Sequence, residues 1–150
     1  MADAIKNTRN NSVFDLKYHL VLVTKYRRKA LSPPILTRAQ EIIGATLERW
    51  RCTLLESGGE ADHLHCLFSA HPAMDLSRLV NNLKTVSSRL LRSEFDKELR
   101  EFYWKPVLWH GAYYIGSVGG ASLETVRRYV EQQGIDRWSP KRRAAQKKTR

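Results

Sequence analysis

At 150 residues the chain is long enough for one domain with a buried core and too short for two comfortable ones. Hydrophobic residues make up 42% and charged residues 27%, which excludes a disordered class, and no apolar run approaches the ~20 residues needed to cross a bilayer. Lysine and arginine total 26 against 15 acidic residues, a net charge of +11 that repels itself in a compact state and points to a polyanionic partner, nucleic acid before a membrane surface.

Residues 1–12 show no hydrophobic period and are expected to be a flexible tail. Met1–Asn11 lacks the apolar segment of a secretion signal, so a cytoplasmic, soluble protein is expected. The run FDLKYHLVLVT, from Phe14 to Thr24, is β-branched and aromatic enough for a strand. A basic cluster follows, Lys25, Arg27, Arg28 and Lys29, and then Pro33-Pro34, which closes one element and opens another. Leu36, Ala39, Ile42, Ile43, Thr46, Leu47 and Trp50 recur at helical spacing and predict a helix over 35–50.

A short strand is predicted over Thr53–Ser57, with Gly58-Gly59-Glu60 as a hairpin turn into a second strand over Asp62–Ser69. Leu76, Leu79, Val80, Leu83, Val86 and Leu90 outline a second helix, about Met74 to Arg92, whose other face carries Arg78, Lys84, Arg89 and Arg92. Residues 93–110 are charged and then aromatic, and no element is assigned to them. Ala112–Val118 reads as a last strand. Gly119-Gly120 is a joint, Ser122 an N-cap, and Gly134 the stop of a third helix. The basic segment 136–150 has no apolar period and reads as a second flexible tail.

The order strand, helix, strand, strand, helix, strand is the ferredoxin-like β-α-β-β-α-β pattern, an α+β fold with an antiparallel sheet, here with one C-terminal helix added. Helices would cover one face of the sheet and leave the other for a ligand. A single domain over 13–135 is expected.

The sharpest chemical feature is Asp62-His63-Leu64-His65-Cys66-Leu67-Phe68. Side chains alternate along a strand, so His63 and His65 share one face, about 7 Å apart, while Leu64, Cys66 and Phe68 take the core side. Such a pair can close on one divalent ion, although a His-x-His tripeptide taken alone is more often a pair of surface residues. On the last helix Thr125, Tyr129 and Gln133 are spaced to share a face, with Arg127 and Arg128 beside the tyrosine. A phenol with a reference pKa of about 10 attacks only a strongly polarised centre, so neither feature decides a function by itself. His19 alternates onto the histidine face. His71 and His110 read as packing or surface residues, Cys66 as inert, and Trp104 and Trp109 as core residues or base-stacking platforms. With no Cys-x-x-Cys pair, Cys52 and Cys66 do not make a disulfide framework.

Taken together, the opening KYHLVLVTKYRRKAL, the strand DHLHCLFSA, the block LWHGAYYIGSVGG and the helix ending RRYVEQQ resemble the single-tyrosine HUH transposases of small insertion sequences. The resemblance spans about Leu16 to Gln133. It implies metal ligation by His63, His65 and Gln133, with Asp62 as a supporting residue and Mg²⁺ or Mn²⁺ as the cofactor. It implies Tyr129 as the nucleophile that cuts and rejoins single-stranded DNA through a 5′-phosphotyrosine. The implied partners are single-stranded DNA with subterminal hairpins and a second copy of the chain, with active sites shared across the Gly119-Gly120 hinge. Lys25, Arg27, Arg28, Lys29, Arg78 and Lys84 are the expected DNA-binding residues. Two alternatives share the fold: a domesticated nuclease acting on chromosomal repeat hairpins, and a non-catalytic nucleic-acid-binding domain.

Overall fold

The run Leu16–Thr24 forms the central strand because it can be buried on both faces: Leu20, Val21, Leu22 and Val23 are all within 2% of complete burial. The computed structural model describes residues 16–118 together with two short strands, β1 (Asn7–Arg9) and β2 (Ser12–Phe14). These two pair with each other, β1 inside the segment 1–12 expected to be a flexible tail and β2 across its end. The central strand is β3, followed by α1 (Pro33–Arg49), β4 (Thr53–Glu60), β5 (His63–Ala70), α2 (Leu76–Glu94), α3 (Asp96–Arg100) and β6 (Trp109–Ser117).

The sheet order is β4-β5-β3-β6, with every neighbouring pair antiparallel. This is the strand arrangement that the β-α-β-β-α-β reading requires. Both long helices pack on the face that carries Leu20 and Leu22 of β3 and Leu64, Cys66 and Phe68 of β5. Helix α1 contributes Ile35, Ala39, Ile42, Ile43 and Leu47, a stripe at helical spacing, and α2 contributes Leu79, Val80, Leu83 and Leu91.

Local chemistry sets the element ends. Pro33 and Pro34 occupy the first helical positions, where a missing N–H costs nothing, so α1 begins two residues before the predicted start. Asp75 caps α2 by accepting a hydrogen bond from the Arg78 backbone N–H at 3.2 Å. Ser87, on the buried side of α2, donates to the Leu83 carbonyl at 2.6 Å and accepts from the Trp109 indole at 2.9 Å. That bond fixes Trp109 as a core residue at the start of β6.

The expected turn at Gly58-Gly59-Glu60 is corrected by the structure. All three residues belong to β4 and pair with His65, Leu64 and His63 of β5, and the chain reverses at Ala61-Asp62. The glycines serve close approach instead. A Cβ on Gly59 would lie 2.4 Å from the His63 carbonyl oxygen, and one on Gly58 would lie 3.0 Å from the His65 ring. Segment 93–110 comprises the end of α2, α3, a loop that turns Tyr103 and Leu108 inward while leaving Trp104 in solvent, and the start of β6 with Trp109 buried. The face opposite the helices is also less open than expected, because His19, Val21, Val23 and His63 on it are buried. The predicted third helix, with Tyr129 and Gln133, and the hinge Gly119-Gly120 lie outside the described residues.

Candidate functional site

His63 and His65 stand on the sheet face away from α1 and α2, as alternation along β5 requires, with Leu64 and Cys66 on the core side. Their ring planes are inclined by 28°, with centroids 6.2 Å apart. His19 comes from the neighbouring strand, its ring 5.9 Å from that of His65 and edge-on to it. Three imidazoles therefore line one patch of sheet, with Glu60 across from His63 in the β4–β5 register.

The first of these rings is held in place. His63 Nδ1 lies 2.9 Å from Asp62 Oδ1, and the other oxygen of the same carboxylate accepts from Arg27, at 3.1 Å from Nη2 and 3.3 Å from Nε. Burial alone would raise the Asp62 carboxyl, but the hydrogen bonds and charges of His63 and Arg27 outweigh it and hold the group below the usual aspartate value. A carboxylate on Nδ1 fixes the ring orientation and leaves Nε2 as the ring atom for a ligand, the arrangement common behind metal-bound histidines.

The Asp62 turn is clasped by its surroundings. The backbone N–H of Thr24 donates to the Asp62 carbonyl at 3.0 Å, and that of Leu31 donates to the Ala61 carbonyl at 2.9 Å. Arg27 reaches Asp62 from a tight turn in which Tyr26 and Arg27 both have left-handed backbones, φ 60° and 54°. Non-glycine residues adopt that conformation at a cost, which marks the turn as a place where side-chain direction outweighs backbone comfort. The Tyr103 hydroxyl donates to the Lys25 carbonyl at 2.7 Å and braces the turn from the other side.

The donor set fits a divalent cation. One ligand atom from each of Glu60, Asp62 and His63 lies within 4.8 Å of the others, a group that could hold a metal ion. Glu60 was missed from sequence because it was read into a turn; only its strand register brings it opposite His63. Gly58 was missed for the same reason. Its lack of a side chain gives the His65 ring its space, with Nε2 just 3.1 Å from where a Cβ would stand.

The expected DNA-binding residues divide. Arg27 is turned to Asp62, and Lys84 donates to the Gly111 carbonyl at 3.1 Å. Burial lowers the Lys84 amine, and the nearby charge of Lys25 lowers it further. Arg28 sits over the rings of Tyr26 and Tyr103, 5.2 and 5.5 Å from their centroids, with its guanidinium donating to the Phe102 carbonyl. Lys29 and Arg78 are exposed. Cys66 is fully buried, as expected of an inert thiol.

Comparison with known proteins places this geometry. The model of the IS200-like transposases matches residues 12–133, most of the chain. The chain belongs to the IS200-like transposase family. It is 30% identical over 120 residues to the transposase of insertion sequence element IS200 from Salmonella typhimurium, covering 80% of this chain and 78% of that one. It is 27% identical over 121 residues to the ISDra2 transposase TnpA of Deinococcus radiodurans, covering 81% and 86%. A crystal structure described as a transposase from Deinococcus radiodurans superposes with a TM-score of 0.73 at 26% identity, covering 85% of this chain and 97% of the other. Family membership makes this chain a DNA transposase, with the strand cutting and joining that transposition entails, and it favours neither alternative reading. No helix among the described residues is long and apolar enough to cross a membrane.

Proposed function

We propose that this transposase cuts and rejoins single-stranded DNA at the ends of an insertion sequence, with Tyr129 as nucleophile beside a divalent ion. The observation that carries the reading is the pair His63 and His65 on one sheet face, the first locked by Asp62, in a chain whose family match extends over Tyr129 and Gln133. His63 and His65 would hold the ion with Gln133 as the third ligand, Asp62 orienting His63 and Glu60 offering a further carboxylate. When bound, a Mg²⁺ or Mn²⁺ ion supplies charge for the non-bridging oxygens of the scissile phosphate.

The covalent step belongs to the chain. The Tyr129 phenol oxygen attacks phosphorus, the bond from phosphorus to the 3′-oxygen breaks, and the leaving oxygen takes a proton to become a free 3′-OH. A new P–O bond replaces the old one, so no nucleotide cofactor is required. A second 3′-OH then attacks the 5′-phosphotyrosine, and the phenol leaves with a proton restored. The working unit is a homodimer in which the Tyr129 helix, carried on the Gly119-Gly120 hinge, completes a site with the histidines of the other copy. The domain runs over 13–135, and the substrates carry subterminal hairpins.

The test is cleavage of labelled single strands from the flanks of the protein's own gene, with Mn²⁺. Specific cuts lost with EDTA and in His63→Ala and His65→Ala, while DNA binding persists, support the reading. Tight binding by the wild type without any cut contradicts it.

A further inference from the structure

Trp104 is 86% exposed, although a tryptophan is among the residues with most to gain from burial. Its loop forms one wall of a cleft of about 730 Å³, within the size range of small-ligand pockets. The other walls are α2, with Arg89 and Arg92, and α3, with Arg100. Among the described residues the one carboxylate in the lining, Asp96, is bound to Arg100 at 2.9 Å. Lys105 lies over one face of the Trp104 ring, 4.7 Å from its centroid.

A second hollow of about 250 Å³ shares the wall of Tyr103, Trp104 and Lys105 and opens toward Lys25, Tyr26 and Arg28. Tyr26 is itself about half exposed, with Lys25 and Arg28 against its ring. These residues flank Arg27, which grips Asp62 beside His63. Basic and aromatic side chains therefore line both hollows, on either side of the Trp104 loop.

An aromatic platform set among arginines and lysines is the chemistry that holds an unpaired nucleotide: the base stacks on the ring and the phosphates take the cations. A duplex offers the phosphates but not the base face. We propose that the Trp104 cleft binds single-stranded DNA, one unpaired base stacking on the indole face opposite Lys105 and the backbone lying along Arg89 and Arg92. This rests on the reading above, and it adds a binding subsite that the catalytic residues do not include.

The test is binding of a fluorescent, mixed-sequence single strand of ~12 nucleotides, and of the matching blunt duplex, to the full chain in EDTA, where no cutting interferes. Stacking worth ~1–3 kcal/mol per base predicts that Trp104→Ala weakens single-strand binding roughly 5- to 150-fold, that Trp104→Phe restores most of it, and that duplex binding stays unchanged. Because Trp104 is in solvent, the variant should melt where the wild type does. Single-strand affinity equal to wild type overturns the proposal. So does an equal loss for single strand and duplex, or a changed oligomeric state with intact DNA binding, which would assign the surface to a second copy. A wild type that binds in this way but never cuts DNA would sink the catalytic reading and leave the cleft standing.

Discussion

Asp62 holds His63 from behind: Oδ1 lies 2.9 Å from the ring's Nδ1, and Oδ2 is taken by Arg27. Replacing Asp62 by Ala should free the ring and weaken Mn²⁺ binding by ~10- to 100-fold, with a parallel loss of cutting. Asp62→Asn keeps an acceptor for Nδ1 and should lose less. Titration of the apoprotein followed by the electron paramagnetic resonance of free Mn²⁺ measures this directly. Equal affinities for wild type and Asp62→Ala would remove Asp62 from the site.

The two glycines of β4 should fail in different ways. A Cβ at Gly58 meets the His65 ring, which can swing aside, so Gly58→Ala should keep the fold and lose metal-dependent cutting. At Gly59 the new atom meets the His63 carbonyl oxygen, which cannot move without the strand, so Gly59→Ala should cost about 1–3 kcal/mol of stability. Urea unfolding of both variants beside their cleavage rates separates the two. A Gly58→Ala protein that cuts normally would show that His65 does not need that space.

These glycines also mark where sequence reading stops. Alternation alone placed Leu64, Cys66 and Phe68 inward and the histidines outward, because a strand has only two faces. The α1 and α2 stripes were equally plain, since helical spacing repeats over several turns. Gly58-Gly59 carries the same letters whether it turns a hairpin or yields space to a neighbouring ring, and only the register tells them apart. Glu60 was hidden with them. The bond from Arg27 to Asp62 was hidden for a like reason: charge is visible in sequence and the partner of a charge, thirty-five positions away, is not.

Burial pushes the Cys66 thiol up to about 12 and that of Cys52 up to about 11. Both should therefore stay protonated near neutrality and react with Ellman's reagent only after denaturation. Their raised values contribute stability that is complete below the unfolded thiol value of about 8.5 and is lost as pH rises from there toward the folded values. Stability falling between about pH 8.5 and 11 is the expected result. Fast thiol reaction in the native protein at pH 7 would contradict the burial of this strand.

Phe68 is fully buried between the sheet and the helices, so Phe68→Ala should cost about 3–5 kcal/mol, whereas Trp104→Ala should change stability by less than about 0.5. Chemical denaturation of the two variants makes the comparison. Similar losses would mean that Trp104 is part of the core after all.

The covalent bond at Tyr129 is the centre of the proposed mechanism, and a protein–DNA adduct is its direct sign. The purified protein would be incubated with Mn²⁺ and an end-labelled single strand carrying its own cleavage site, and the mixture run on a denaturing gel. Label migrating with the protein, absent with EDTA and absent in Tyr129→Phe, with the linked peptide mapping to Tyr129 by mass spectrometry, is the predicted result. An adduct that survives Tyr129→Phe, or strand cutting with no covalent species at any time, would contradict it.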